Sequence, residues 1–312
     1  MKTYLVITVL LFCIGQTLYA QSSMKTTPQA VLPKEIKLWP GAMPDDGGGS
    51  RNDEMVSAKG SVTQVSTPRL LVHRPEHSNG TAVLIISGGG YAHIELGKES
   101  NPTASWLQSE EITAFELVYR LPQENWKTTN VPFQDAQRAM RIIRSKADAL
   151  GIQRIGVLGF SAGGHLAGII ATEPDHLFYT PVDAVDAISA RPDFAALIYP
   201  VISMLPPNNK THAKKSILGA QPTEAEEAAF SVEKLVDSHT PPTFLAQATD
   251  DTISPVANSY LMDEALKKSN VAEELHIFPT GGHGWGLGKT GTPTMEWPQL
   301  FKAWAQRNGF WK

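Results

Sequence analysis

Apolar residues along this chain gather in short unbroken runs separated by longer amphipathic stretches. The stretches at 82–86, 112–119, 155–158, 194–199, 243–249 and 273–278 have the length of strands, and the unbroken apolar run at 82–86 marks a strand covered on both faces. Weaker strand patterns lie at 61–65 and 69–73, and residues 36–39 form a short edge strand. Helical spacing is found over 99–110, 133–150, 255–268 and 293–309. In 133–150, Ala136, Ala139, Met140, Ile143 and Ala147 recur every three or four positions, leaving Arg138, Arg141, Arg144 and Lys146 to a solvated basic face. Strand and helix alternate, which predicts an α/β fold with a mostly parallel, doubly wound sheet and helices on both sides. Three stretches lack either period. Residues 40–50, with glycines at 47–49, read as a loop; 173–192 are irregular; and 201–233, interrupted by Pro206, Pro207 and Pro222, predict a small partial cap over the site.

The strand at 155–158 runs into Gly159-Phe160-Ser161-Ala162-Gly163, after which Leu166, Ala167, Ile169 and Ile170 continue at helical spacing. A strand, a tight turn with serine at its tip and a helix make up a nucleophile elbow. The turn is sharp, so a side chain at either flanking glycine strikes the neighbouring strand or helix. The serine hydroxyl then stands clear of the sheet at a helix N-terminus, where free N–H groups favour developing negative charge.

A base and an acid follow in the order Ser161, Asp251, His283, at intervals of 90 and 32 residues. That is the chain order of α/β-hydrolases and not of chymotrypsin-type enzymes. Each group falls at the C-terminal end of a predicted strand, where open α/β sheets form their ligand crevice. In this arrangement His283 takes the Ser161 proton and the aspartate fixes its tautomer. Asp250 and Asp251 both lie at the strand end, and the pattern alone does not separate them. The run 82–86 ends in Ser87-Gly88-Gly89-Gly90-Tyr91, with no phosphate-loop continuation. The N–H groups of Gly89 and Gly90, with that of Ala162, are expected to form an oxyanion hole. Tyr91 and His93 after this loop, and Trp285 beside His283, are expected to line the substrate pocket. His165, one turn into the elbow helix, is expected to orient or pack the elbow. No metal-ligand spacing is present, so neither metal nor cofactor is implied.

Composition narrows the setting. With 312 residues, 42% hydrophobic, the chain can bury one large core, and residues 35–312 are expected to form one domain. A net charge of −4, with only the pairs Lys214-Lys215 and Lys267-Lys268 as basic clusters, argues against nucleic acid as a partner. Lys2, the apolar residues 4–14 and Leu18-Tyr19-Ala20 before Gln21 read as a secretory signal peptide over 1–20, followed by a polar leader over 21–34. Export to the periplasm or medium, with no membrane attachment after cleavage, follows from that reading. The single cysteine, Cys13, lies within the signal, so the exported chain is expected to carry no disulfide and no thiol nucleophile.

Taken together, Gly88-Gly89-Gly90-Tyr91, Tyr119-Arg120-Leu121-Pro122, the helix from Asp135 to Arg144, the elbow from Gly159 to Leu166, Tyr199-Pro200-Val201 and Gly282-His283-Gly284 resemble secreted bacterial α/β-hydrolases of the acetyl esterase/lipase type. They are most like the branch containing acetylxylan esterases and bifunctional feruloyl/acetyl xylan esterases, over residues 35–310. The resemblance implies the α/β-hydrolase fold, Ser161 as nucleophile, and, in Asp251-Thr252-Ile253-Ser254-Pro255, Asp251 as acid. It further implies hydrolysis of acetyl esters on an oligo- or polysaccharide of the xylan type, without a cofactor. Related enzymes carry histidine before the glycine triplet where this chain has Ser87; the oxyanion donors are backbone groups, so the hole is expected to survive. Two other readings share parts of the pattern. A prolyl-oligopeptidase-type peptidase has the same triad but a large propeller, for which the stretch ahead of the elbow is too short. A non-catalytic carbohydrate-binding protein on this fold does not need an intact Ser161, Asp251 and His283.

Overall fold

The computed structural model describes residues 34–48 and 53–312, together with Met1. The expected signal peptide and almost all of the expected leader lie outside the described residues. The chain builds β1 (Glu35–Lys37), a small hairpin of β2 (Met55–Val56) and β3 (Val62–Thr63), then β4 (Arg69–His73) and β5 (Thr81–Ile86). Next come α1 (Asn101–Ser109), β6 (Thr113–Val118), α2 (Val131–Ser145), α3 (Ala147–Leu150), β7 (Arg154–Phe160) and α4 (Ala162–Thr172). The second half supplies β8 (Phe194–Ile198), the short helices α5 (His212–Leu218), α6 (Glu224–Ala229) and α7 (Val232–Leu235), then β9 (Thr243–Ala248), α8 (Ala257–Lys268), β10 (Glu273–Phe278) and α9 (Trp297–Arg307).

Eight strands form one sheet in the order β1-β4-β6-β5-β7-β8-β9-β10. β1 and β4 pair antiparallel at one edge, and the six strands from β6 to β10 run parallel. Their C-terminal ends therefore share one edge, so the loops after β5, β7, β9 and β10 converge there. β7 sits in the middle, between β5 and β8.

The unbroken apolar runs have the cause that the pattern implies. In β5, Leu84 and Ile86 enter one core cluster with Met140, Ile143 and Leu166, while Val83 and Ile85 enter a second with Leu107, Phe160, Trp297 and Phe301. Helices α2 and α4 cover the first face, and α1 and α9 the second. At ~1.5–3 kcal/mol for each large apolar side chain removed from water, burial on two faces stabilises the central strands.

Two of the four basic residues expected on a solvated face, Arg138 and Arg141, are buried instead, while Arg144 and Lys146 are half-buried. Arg138 and Arg141 are only 2% and 6% exposed. Arg138 reaches Asp183 at 2.6 Å and Asp186 at 2.9 Å, and Arg141 donates to the Tyr179 hydroxyl at 2.8 Å. The irregular stretch over 173–192 lies across this side of the helix and brings the compensating carboxylates. The helix expected over 133–150 is also broken: α2 ends at Ser145 and α3 begins at Ala147, with Lys146 as the cap between them.

Candidate active site

Ser161 stands at the turn between β7 and α4 with φ 53° and ψ −119°, a conformation that an L residue holds only where its surroundings impose it. They do so on both sides. The Ser161 N–H donates to the Ile198 carbonyl at 3.0 Å, and the Ser161 carbonyl accepts from Val201 and His165, each at 3.1 Å. The flanking glycines are a matter of space: a Cβ at Gly159 would lie 2.2 Å from the Gly163 carbonyl oxygen, and one at Gly163 would lie 2.1 Å from that of Ile86.

The sheet brings the three expected groups together. Ser161 Oγ lies 2.8 Å from His283 Nε2, and His283 Nδ1 lies 2.7 Å from Asp251 Oδ2. Asp251 is buried and fully occupied. Its Oδ2 also accepts from the Gln247 side-chain amide at 3.0 Å, and its Oδ1 from the N–H groups of Ile253 and Ser254, both at 2.9 Å. The neighbouring carboxylate points elsewhere: Asp250 Oδ1 accepts the Gly282 N–H at 2.7 Å, a bond that holds its pKa below the usual carboxylate range. The two aspartates that the pattern left open thus separate by direction, Asp251 toward the imidazole and Asp250 toward the backbone of the histidine loop.

A cavity of about 480 Å³ opens over the serine. Gly89, Gly90, Ala162, Ser161 and His283 line its inner end, and among the described residues the N–H groups of Gly89, Gly90 and Ala162 have no protein acceptor. His93 lines the wall, with Nε2 2.7 Å from Glu95. Thr211, His212 and Ala213, from the segment expected to act as a cap, close another side, and His212 Nδ1 approaches the Gly90 carbonyl at 3.2 Å.

Tyr91 and Trp285 are not in this wall. Tyr91 is fully buried beneath the glycine loop, its hydroxyl 2.8 Å from His165 Nδ1 and its ring packed against Tyr119 and Phe133. Trp285 is 6% exposed and packs on Tyr199, Phe278 and Trp297. In both loops the large ring turns inward to support the backbone, leaving the small residues at the cavity. His165 is likewise structural, with Nε2–H donating to the Phe230 carbonyl at 2.7 Å and Nδ1 accepting from Tyr91. Burial lowers its pKa to about 4, so the ring is neutral at physiological pH.

The sequence reading missed Gln247, Glu99 and Tyr199. Gln247 left a trace, as a lone amide in an otherwise apolar strand run four residues before Asp251. Glu99 left none: a charged residue beside Lys98 at the start of a helix reads as solvated, yet its side chain lies 3% exposed at the cavity floor. Tyr199 is legible as the end of the apolar run at 194–199 and within the Tyr199-Pro200-Val201 motif, but neither gives it a role in the site.

Comparison with known proteins places this chain in a family. A family model, BD-FAE, matches residues 70–266, more than half of the chain. The chain belongs to the BD-FAE family. Among solved structures, this BD-FAE member is similar to the acetyl ester-xyloside bifunctional hydrolase from Caldicellulosiruptor lactoaceticus. They share 36% identity and a TM-score of 0.75, over 89% of this chain and 97% of that one. It is also similar to an endo-1,4-β-xylanase B of Butyrivibrio fibrisolvens (35% identity over 65% of this chain) and an acetylxylan esterase of Xylanibacter ruminicola (31% over 69%). The matched regions make up only 32% and 43% of the lengths of those two relatives. The fold is the α/β-hydrolase fold, a mostly parallel sheet covered on both faces, with a short helical segment beside the site.

Proposed function

We propose that this protein is a serine carboxylesterase that removes acetyl groups from saccharides of the xylan type through an acyl-enzyme on Ser161. The observation that carries the reading is the unbroken hydrogen-bonded line from Ser161 Oγ through His283 to Asp251 at the floor of an open cavity. The similarity to the acetyl ester-xyloside bifunctional hydrolase over nearly the whole chain supports the substrate class.

The chemistry proceeds as follows. Ser161 Oγ attacks the acyl carbon while its proton passes to His283 Nε2, and Asp251 stabilises the imidazolium from the Nδ1 side. The carbonyl oxygen becomes an oxyanion, for which the N–H groups of Gly89, Gly90 and Ala162, without a protein acceptor among the described residues, serve as donors. Collapse of the tetrahedral intermediate breaks the bond to the sugar oxygen, which receives the proton from His283. Water, deprotonated by the same imidazole, then attacks the acetyl-serine, and acetate leaves with the serine restored. The N-terminal sequence supports export, and an exported esterase meets polymeric substrates outside the cell.

Acetate release from acetylated xylan by the purified protein, alongside Ser161→Ala, tests this reading. The parent is expected to release acetate and the variant to lose at least ~10³-fold in turnover. Release that persists in the variant overturns the serine mechanism. Cleavage of 4-nitrophenyl acetate without release from xylan keeps the mechanism and overturns the substrate class. Feruloylated arabinoxylan, assayed beside the acetylated polymer, extends the test to the second acyl group implied by the sequence resemblance.

A further inference from the structure

Glu99 is a buried carboxylate that the serine mechanism above does not use. It lies just before α1, 3% exposed, at the floor of the cavity that holds Ser161 and His283. Its Oε2 accepts the Gly88 N–H at 2.6 Å, at the base of the glycine loop. Its Oε1 accepts the Tyr199 hydroxyl at 2.9 Å. The Tyr199 oxygen in turn accepts the Gly286 N–H at 3.0 Å, within the loop that carries His283. The Tyr199 ring also lies edge-on to the His283 ring, with centroids 5.0 Å apart, and at 4.5 Å from that of Trp285. Tyr199 itself is held at φ 38°, a strained backbone whose cost the surrounding packing must offset. One carboxylate thus connects the glycine loop and the histidine loop, and both connections are short and buried.

We propose that Glu99 is a positioning residue for ester hydrolysis, clamping the glycine loop at Gly88 and, through the Tyr199 hydroxyl, the histidine loop at Gly286. The proposal rests on the esterase reading and adds to it. An oxyanion hole made of backbone N–H groups works only if the loop that bears them is fixed before the reaction begins. Gly88 is the residue before the two expected donors, and its N–H is the one that Glu99 fixes. A base works only within hydrogen-bond reach of the hydroxyl that it deprotonates, and the second connection holds the loop that sets that distance. A charged acceptor makes the stronger hydrogen bond, so the carboxylate suits both tasks better than an amide.

Glu99 also faces the base through space. The titratable groups facing Glu99 are Tyr199, His283, Tyr119 and Glu95. Burial raises the Glu99 pKa to about 7, and the attraction of His283 is among the effects that pull it down.

The deciding comparison is the parent with Glu99→Gln and Tyr199→Phe, on 4-nitrophenyl acetate, with Ser161→Ala defining the background. Glutamine keeps the volume and one oxygen but cannot accept on both sides as a charged group. The expectation is a loss in kcat of roughly tenfold to a hundredfold for Glu99→Gln with KM within about threefold. Its kcat–pH profile should also lose the rise through about pH 7 that ionisation of Glu99 gives the parent, because the carboxyl whose pKa burial raises to about 7 is gone. Tyr199→Phe, which cuts only the connection to the histidine loop, should fall between the two. Covalent titration of the serine with an organophosphate counts competent sites, so a variant that merely misfolds shows fewer sites with the parent's pH profile. An unchanged kcat per site with the parent's pH profile in Glu99→Gln overturns the proposal while leaving the esterase reading intact. A parent without Ser161-dependent turnover overturns both.

Discussion

Asp250 and Asp251 differ by one position and face different partners. Asp251 meets four donors: the imidazole Nδ1–H, the Gln247 amide and two backbone N–H groups. A carboxylate so occupied has no rotational freedom left, which fixes the tautomer of His283 with Nε2 free toward Ser161. Asp251→Asn replaces an acceptor facing Nδ1 by a group that can donate there, so the wrong tautomer becomes the stable one. A loss in kcat of ~10²–10⁴-fold is expected for it on an aryl acetate. Asp250→Asn keeps an oxygen for the Gly282 N–H and should lose less than ~tenfold. The reverse ranking would move the acid to Asp250. That the pattern alone could not choose between them has a physical reason. Strand ends are legible because the apolar run stops there, whereas the direction of a side chain in the following turn depends on which backbone donors the turn presents. The same limit explains Tyr91 and Trp285, which were read as pocket residues from their place in the chain and point into the core. The resemblance, which matches side-chain roles and not periodicities alone, singled out Asp251.

At the scale of the element, α2 shows where amphipathic reading stops. Its apolar positions were placed on the sheet side, and Ala136, Ala139, Met140 and Ile143 are buried. Its arginines were assigned to water because a helix packed on a sheet usually has one wet face. Nothing local to the helix announces that residues 173–192 fold back over it with Asp183 and Asp186, since that stretch has no period of its own. Arg138 and Arg144 are six positions apart and look alike in sequence, but they differ in surroundings. Arg138 bonds to two carboxylates and the Leu38 carbonyl, whereas Arg144 keeps a side-chain exposure of 28% and reaches the Arg191 carbonyl and, at 3.7 Å, Asp193. Removing one partner of a buried ion pair leaves the other charge without compensation, at a cost of ~3–5 kcal/mol; an exposed pair is worth under ~1 kcal/mol. Urea denaturation should therefore show Arg138→Met with a far lower midpoint than Arg144→Met. Equal midpoints would restore the solvated face that the sequence suggested.

For the whole molecule, two buried groups set opposing dependences of stability on pH. Burial raises the Glu99 pKa to about 7 and lowers that of His165 to about 4. Glu99 binds its proton more tightly in the folded state. Its contribution is fully present below the unfolded value near 4.5 and is lost as pH rises through about 7. His165 binds its proton more weakly in the folded state, so its contribution is present above the unfolded value near 6.5 and is lost as pH falls through about 4. Between roughly pH 4.5 and 6.5 the two slopes are opposite, and at ~1.4 kcal/mol per pH unit each reaches on the order of 3 kcal/mol over its range. Burying one acid and one base beside the same site thus levels the stability of the protein across mildly acidic pH. Removing one member should expose the slope of the other. Measured by urea unfolding from pH 4.5 to 7.5, the free-energy difference between Glu99→Gln and the parent should shift in favour of the variant as pH rises. It should then level off above about pH 7, because the parent alone must ionise a buried carboxyl in that interval. A difference independent of pH would mean that Glu99 titrates alike in the folded and unfolded chains, and the levelling would then have to come from other groups.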